Sequence, residues 1–231
     1  MGLYDRNYSN TNTDFIEQAS LAQDSALVKF VKTTYMFFGA SLFFAFVGAM
    51  IGFMNLQLVF ENRMAIFIAE IAALFGLMFS RSKPGLNIAM LFIFTTLTGL
   101  AATPLVAMVA LKAGAGAVVM AFAMTTIVFG VMSIFGIKTR KDLASMGKML
   151  FITLIVVFVC SLVNMFLGSS MFQILISSAA VILFSMYVAY DTQNIIRGLY
   201  TSPVDAAIAL YLDFYNIFMH LLALIGLSNR D

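Results

Sequence analysis

Three acidic residues stand where an acid is costly: Glu70, Asp191 and Asp213 each interrupt or end a long apolar run. An ionised side chain in the middle of a membrane helix costs about 2.5 to 3.5 kcal/mol on insertion scales, so each acid demands a partner, a water-filled cavity or a proton. Asp213, Asn216 and His220 recur at i, i+3 and i+7, which draws a polar stripe along one face of an otherwise apolar helix. That stripe belongs in the interior, beside Gln193 and Asn194, which follow Asp191 in the chain. Two carboxyl groups that meet in a low dielectric cannot both ionise cheaply, so they share a proton and form a pH-sensitive contact. A guanidinium at the same level, for which Arg81 is the candidate, competes for those carboxylates and favours their charged form. Spacing alone leaves two readings open: a functional sensor, or a buried ion pair that only locks helices. His220 taken alone reads as a packed, hydrogen-bonded side chain rather than a proton relay or ligand.

No catalytic set accompanies these residues, and no enzyme activity or cofactor is expected. The chain has no His-Glu-x-x-His metal helix, no Gly-x-Ser-x-Gly elbow and no phosphate loop. Tyr190-Asp191 begins like the motif of an intramembrane aspartyl protease, but no Gly-x-Gly-Asp follows it. The single cysteine, Cys160, lies in an apolar run and reads as a packing residue, without a second thiol for a disulfide.

The elements that must position the acids follow from composition. Of the 231 residues 62% are hydrophobic and 10% charged, against about 25% charged in an ordinary soluble domain. Too few polar side chains remain to cover a soluble surface, so the chain is expected in a lipid bilayer. The 13 Lys and Arg are scattered and the net charge is +2, which excludes a basic stripe for nucleic acid.

A membrane helix needs about 20 apolar residues, and seven such runs are readable, at 33–54, 64–80, 86–111, 117–137, 149–167, 172–190 and 206–227. The breaks carry charges, Gly or Pro and are short, so consecutive helices pack antiparallel. Gly48 with Gly52, and Gly130 with Ser133 and Gly136, supply small faces for close helix contact. Residues 1–28 are polar, lack a signal-peptide pattern and read as a flexible cytoplasmic tail ahead of a membrane domain at 29–231.

Orientation follows from the positive-inside rule. With the N-terminus in the cytoplasm, Arg6, Lys29, Lys32, Arg81, Lys83, Lys138, Arg140, Lys141, Lys148 and Arg197 lie inside, and only Arg63, Lys112 and Arg230 lie outside. That bias places the C-terminus on the far side and supports seven crossings; six, with the last run re-entrant, is the alternative. In this topology the second and sixth runs end where the seventh begins, which puts Arg81, Asp191 and Asp213 at one depth. Glu70 shares a helical face with Arg81 but lies about 16 Å away along the axis.

The stretches Ala189-Tyr-Asp-Thr-Gln193 and Ala209-Leu-Tyr-Leu-Asp-Phe-Tyr-Asn-Ile-Phe218 closely resemble the signature of the transmembrane Bax inhibitor motif family, in its bacterial branch. Ala69-Glu-Ile-Ala72 and Arg81-Ser-Lys-Pro-Gly85 fit the same likeness, which covers residues 30 to 228. The resemblance implies an all-α bundle of seven transmembrane helices with the C-terminal helix central, in the bacterial inner membrane. It further implies a pH-dependent calcium leak, with Asp191 and Asp213 as sensor, Arg81 as latch and Glu70 along the path. In this reading Asn194, Asn216 and His220 are candidate pore lining, and Asp191 and Asp213 are transient Ca²⁺ ligands. The ending Gly226-Leu-Ser-Asn-Arg-Asp231 lacks the basic tail of eukaryotic relatives, so partners of that tail are not expected.

Two functions of different class follow. One is a passive, proton-sensitive cation leak. The other is a regulator docked on a membrane-embedded quality-control protease, with the polar N-terminal segment as its handle. A coupled exchanger is a third course, weakened by the lack of an inverted repeat.

Overall fold

The structure is a computed structural model that describes residues 3–228 apart from residue 84, with side chains described from Gln23 onward. The basic side chains counted at Arg6 and Arg230 lie outside the described set.

Among the described residues eight α-helices follow one another: α1 (Leu3–Met54), α2 (Leu56–Glu61), α3 (Arg63–Ser80), α4 (Leu86–Ala113), α5 (Ala115–Lys138), α6 (Gly147–Leu167), α7 (Ser170–Ile196) and α8 (Pro203–Ser228). A short 3-10 turn, Leu143–Met146, sits between α5 and α6. Seven segments are long and apolar enough to cross a membrane: Gln23–Met54, Arg63–Ser80, Leu86–Ala113, Ala115–Lys138, Leu143–Leu167, Ser170–Ile196 and Pro203–Ser228. The protein is therefore an all-α seven-helix membrane bundle, with α2 as a short extra helix in the break after Met54. The polar stretch read as a tail continues the backbone helix of α1 from Leu3.

α8 packs against α1, α4, α5 and α7, whereas α3 rests on α4 and α6 on α7 as outer elements. The central place of α8 shows in its buried positions, which run from Val204 to Gly226 with Tyr211, Ile217 and Leu222 fully enclosed. The large apolar side chains of α5 and α6, such as Phe158 and Phe166, face outward, as lipid contact requires.

Small residues set the closest crossings. A Cβ at Gly48 would overlap the Thr96 carbonyl oxygen, and a Cβ at Gly99 the Ala45 carbonyl oxygen, so α1 and α4 meet backbone to backbone. Gly136 lets α5 approach the Ala189 carbonyl of α7 in the same way. Gly130, expected on the same contact face, meets nothing within 4 Å and takes no part in it.

Candidate functional site: a buried carboxyl pair

The end of α7 is enclosed on every side, because the α5–α6 connector, α5 and α8 all close over it. From Asp191 to Ile195 every residue is buried. The sequence reading ends this helix at residue 190; its continuation to Ile196 places Asp191 about 7 Å inside the helix end. Asp191 is 5% exposed and Asp213, across on α8, 4% exposed. Their side chains lie close enough to interact directly. Two carboxyl groups so close and so buried cannot both ionise cheaply.

The second partner is Tyr200, whose hydroxyl donates to Asp191 Oδ1 at 2.8 Å. Tyr200 lies in the turn after α7, outside the membrane spans. Burial first, and then the charge of Asp191, push its phenol well above the usual range, so it stays a donor. Asp213 Oδ2 and Asn194 Oδ1 are buried acceptors without a hydrogen-bond partner among the described residues.

Gln193 holds the roof of the site. Its Oε1 accepts from the Leu143 amide at 2.7 Å and its Nε2 donates to the Lys141 carbonyl at 2.9 Å. Arg197 pairs with Asp142 at the rim, and Asp142 Oδ1 also accepts from the Ala144 amide. Below this connector lies a cavity of about 290 Å³, lined by Ala144, Tyr190, Asn194, Leu199 and Tyr200.

Arg81 is elsewhere. Its Nε lies 3.1 Å from Asp205 Oδ1, in the first turn of α8, and its side chain is 57% exposed. Asp213 lies eight residues further along the same helix, about 12 Å deeper. The expectation of one common depth fails for that reason: Arg81 caps α3 at the surface, while both aspartates sit well inside their helices. The latch contact expected of Arg81 with the carboxyl pair is not made in this state.

Glu70 is half-buried in a separate cavity of about 250 Å³, with Arg63, Phe67, Pro104 and Tyr215 among its walls. On the face of α8 toward α4, Tyr211 and Tyr215 stack with centroids 5.9 Å apart. The Tyr211 hydroxyl bonds the Thr98 hydroxyl, and Tyr215 donates to the Thr98 carbonyl at 3.1 Å. Asn216 donates back to the Leu212 carbonyl at 2.7 Å and is committed within its own helix.

His220 stacks on Phe184 and lies 3.2 Å from the Ser177 hydroxyl through Nδ1. Gln173 donates to Ser177, Asn164 donates to Gln173, and the Ser169 amide donates to Asn164. This polar chain ties α6, α7 and α8 together away from the basic end. No group of three or more His, Cys, Asp or Glu fit to hold a metal ion exists among the described residues.

A seven-helix membrane bundle with two adjacent buried carboxyl groups in its interior defines the class of protein. The sequence pattern described as "Inhibitor of apoptosis-promoting Bax1" matches residues 27–230, and the chain belongs to that family. A Helicobacter pylori protein is 59% identical over 232 residues, covering 100% of both chains. A Campylobacter jejuni protein is 44% identical over 99% of each. The Escherichia coli protein named "Modulator of FtsH protease YccA" is 34% identical over 71% of this chain and 76% of its own length.

Proposed function

We infer that this chain regulates a membrane-embedded quality-control protease. The observation that carries the reading is its likeness to the Escherichia coli protein named a modulator of FtsH protease, over about three quarters of that protein. In this reading the polar segment 2–23 is the handle for the protease, and the membrane bundle is the body that holds it in the bilayer. The test is degradation of a membrane substrate by the protease, reconstituted with and without this chain. Slower or faster turnover that depends on residues 2–23 supports the reading. Unchanged turnover with both full-length and shortened chains overturns it.

A second reading is favoured by the carboxyl pair itself, which a mere protease ligand would not need. Here the protein is a proton-sensitive leak for cations, Ca²⁺ among them, with the basic end and N-terminus in the cytoplasm. With one proton between them, Asp191 and Asp213 hold α7 against α8 and the path is closed. Loss of that proton leaves two like charges in low dielectric, which must part, hydrate or take up a cation. Ca²⁺ binds six to eight oxygens, so two carboxylates supply a weak, passing site rather than a resident one. Cation flux into liposomes across about pH 6 to 8 tests it. Flux that rises with pH in the wild type and loses that dependence in Asp213→Asn supports the leak, and no flux at any pH removes it.

A further inference from the structure

The carboxyl pair is almost wholly buried, yet a cavity of about 290 Å³ shares Tyr200 with it at the basic end. One side chain belongs to both. Tyr200 lines the cavity and also donates its hydroxyl to Asp191 Oδ1. Tyr200 thus links the cavity to Asp191.

The other walls are held from several directions. Ala144 belongs to the connector that Gln193 fastens through two hydrogen bonds and that Arg197 fastens through Asp142. Tyr190 rests on Gly147 so tightly that a Cβ there would lie 2.8 Å from its hydroxyl oxygen. Asn194 is part of helix α7. Tyr200 alone among the polar lining residues sits in a non-helical turn, which starts at Gly198 with φ +67° and is fastened by the Leu199 amide on the Asn194 carbonyl, 2.9 Å away. Moving that turn unwinds no membrane helix.

We propose that Tyr200 is the gate through which water and small cations reach the Asp191–Asp213 pair from the basic end of the bundle. With its hydroxyl on Asp191 the pair is closed off; with the ring swung into the cavity, Asp191 faces solvent. The titratable groups that face Tyr200 are Asp191, Asp213 and Tyr190. A phenol that stays protonated does not open by its own ionisation, so the gate is set by how firmly Asp191 accepts its hydrogen bond. Access of water to the pair depends on neither functional reading above, whereas passage of small cations rests on the leak reading.

The test reads access directly. The full chain in lipid nanodiscs is treated with a water-soluble carbodiimide and an amine, and labelling at Asp191 is quantified by peptide mass spectrometry. Asp142, with its side chain 63% exposed, serves as the internal reference. Wild type should label at Asp142 and hardly at Asp191. Tyr200→Phe keeps the ring and removes the hydroxyl, and should raise Asp191 labelling about fivefold, the change that loss of one net hydrogen bond implies. Tyr200→Ala should raise it further. Tyr211→Phe, which removes a different buried hydroxyl on α8, should leave it at the wild-type level. Wild-type labelling of Asp191 equal to that of Asp142, no increase in either Tyr200 variant, or an equal increase in Tyr211→Phe would each overturn the proposal.

Discussion

Arg81 of α3 and Asp205 of α8 form an ion pair at 3.1 Å that joins the last turn of one helix to the first turn of another. Asp205 suits its place twice over, since an acid in the first turn also complements the helix dipole. The pair lies at the rim, with Arg81 more than half exposed. Arg81→Gln should therefore lower stability by no more than about 1 kcal/mol, and less at high salt. Thermal unfolding in detergent at two salt concentrations measures it. Because Arg81 does not touch Asp191 or Asp213 in this state, its variant should also shift pH-dependent behaviour less than Asp213→Asn does.

Gln193 carries a larger load from a smaller number of atoms. It is 1% exposed, and its amide satisfies a backbone donor and a backbone acceptor of the connector at once. Gln193→Ala strands both, at a cost of about 1 to 3 kcal/mol. Gln193→Glu keeps an acceptor for the Leu143 amide but has no donor for Lys141, so it should fall between wild type and Ala. Hydrogen exchange at the Leu143 amide, faster in both variants and fastest in Gln193→Ala, separates loss of this clamp from general loosening.

The crossing of α1 with α4 offers a contrast between glycines. Gly99→Ala drives a methyl group into the Ala45 carbonyl oxygen and Gly48→Ala into that of Thr96, and backbone cannot step aside as a flexible side chain does. Each should cost about 1 to 3 kcal/mol or more. Gly130→Ala meets open space, so the better helix propensity of Ala leaves it neutral or gains up to about 1 kcal/mol. Melting temperatures of the three variants in one detergent should split in that order; equal losses at Gly99 and Gly130 would mean that the helices do not meet as closely as described.

How far these features were legible in the chain depends on what fixed them. The seven spans follow from apolar run length, and the burial of Asp191 and Asp213 from the cost of leaving acids in contact with lipid, both local and strong signals. Gly48 and Gly52 were readable for the same reason, being small residues on one face of a long helix. Arg81 was misplaced because depth was counted from helix ends that the sequence sets too short: α7 runs six residues past its expected end, while Arg81 stops at the surface. Tyr200 carried no periodic signal at all. It lies in a turn, and only the tertiary fold brings that turn back over Asp191. Gln193 was legible as an interior residue, but its hold on a connector some 50 residues away in sequence is a property of the folded chain. The bond from His220 to Ser177 was equally silent, since it joins α8 to α7 across 43 residues.

A proton shared between Asp191 and Asp213, as the leak reading proposes, would have a sign that can be checked. In that reading the contact holds one proton that separated, hydrated carboxylates would already have lost above about pH 4, so raising the pH weakens the contact and lowering it strengthens the contact. The wild type should thus lose stability as pH rises through the release of that proton. In Asp213→Asn the amide can donate to Asp191 without titrating, so the α7 to α8 contact persists and its pH dependence disappears. Asp191→Asn should also flatten the response, but it replaces the carboxylate that Tyr200 bonds with a weaker amide acceptor and should be the less stable of the two. Thermal unfolding of all three proteins from about pH 5 to 9 reads this out. A wild-type curve as flat as that of Asp213→Asn would show that the two side chains hold no titrating proton between them, and with it the reason for a pH response would be gone.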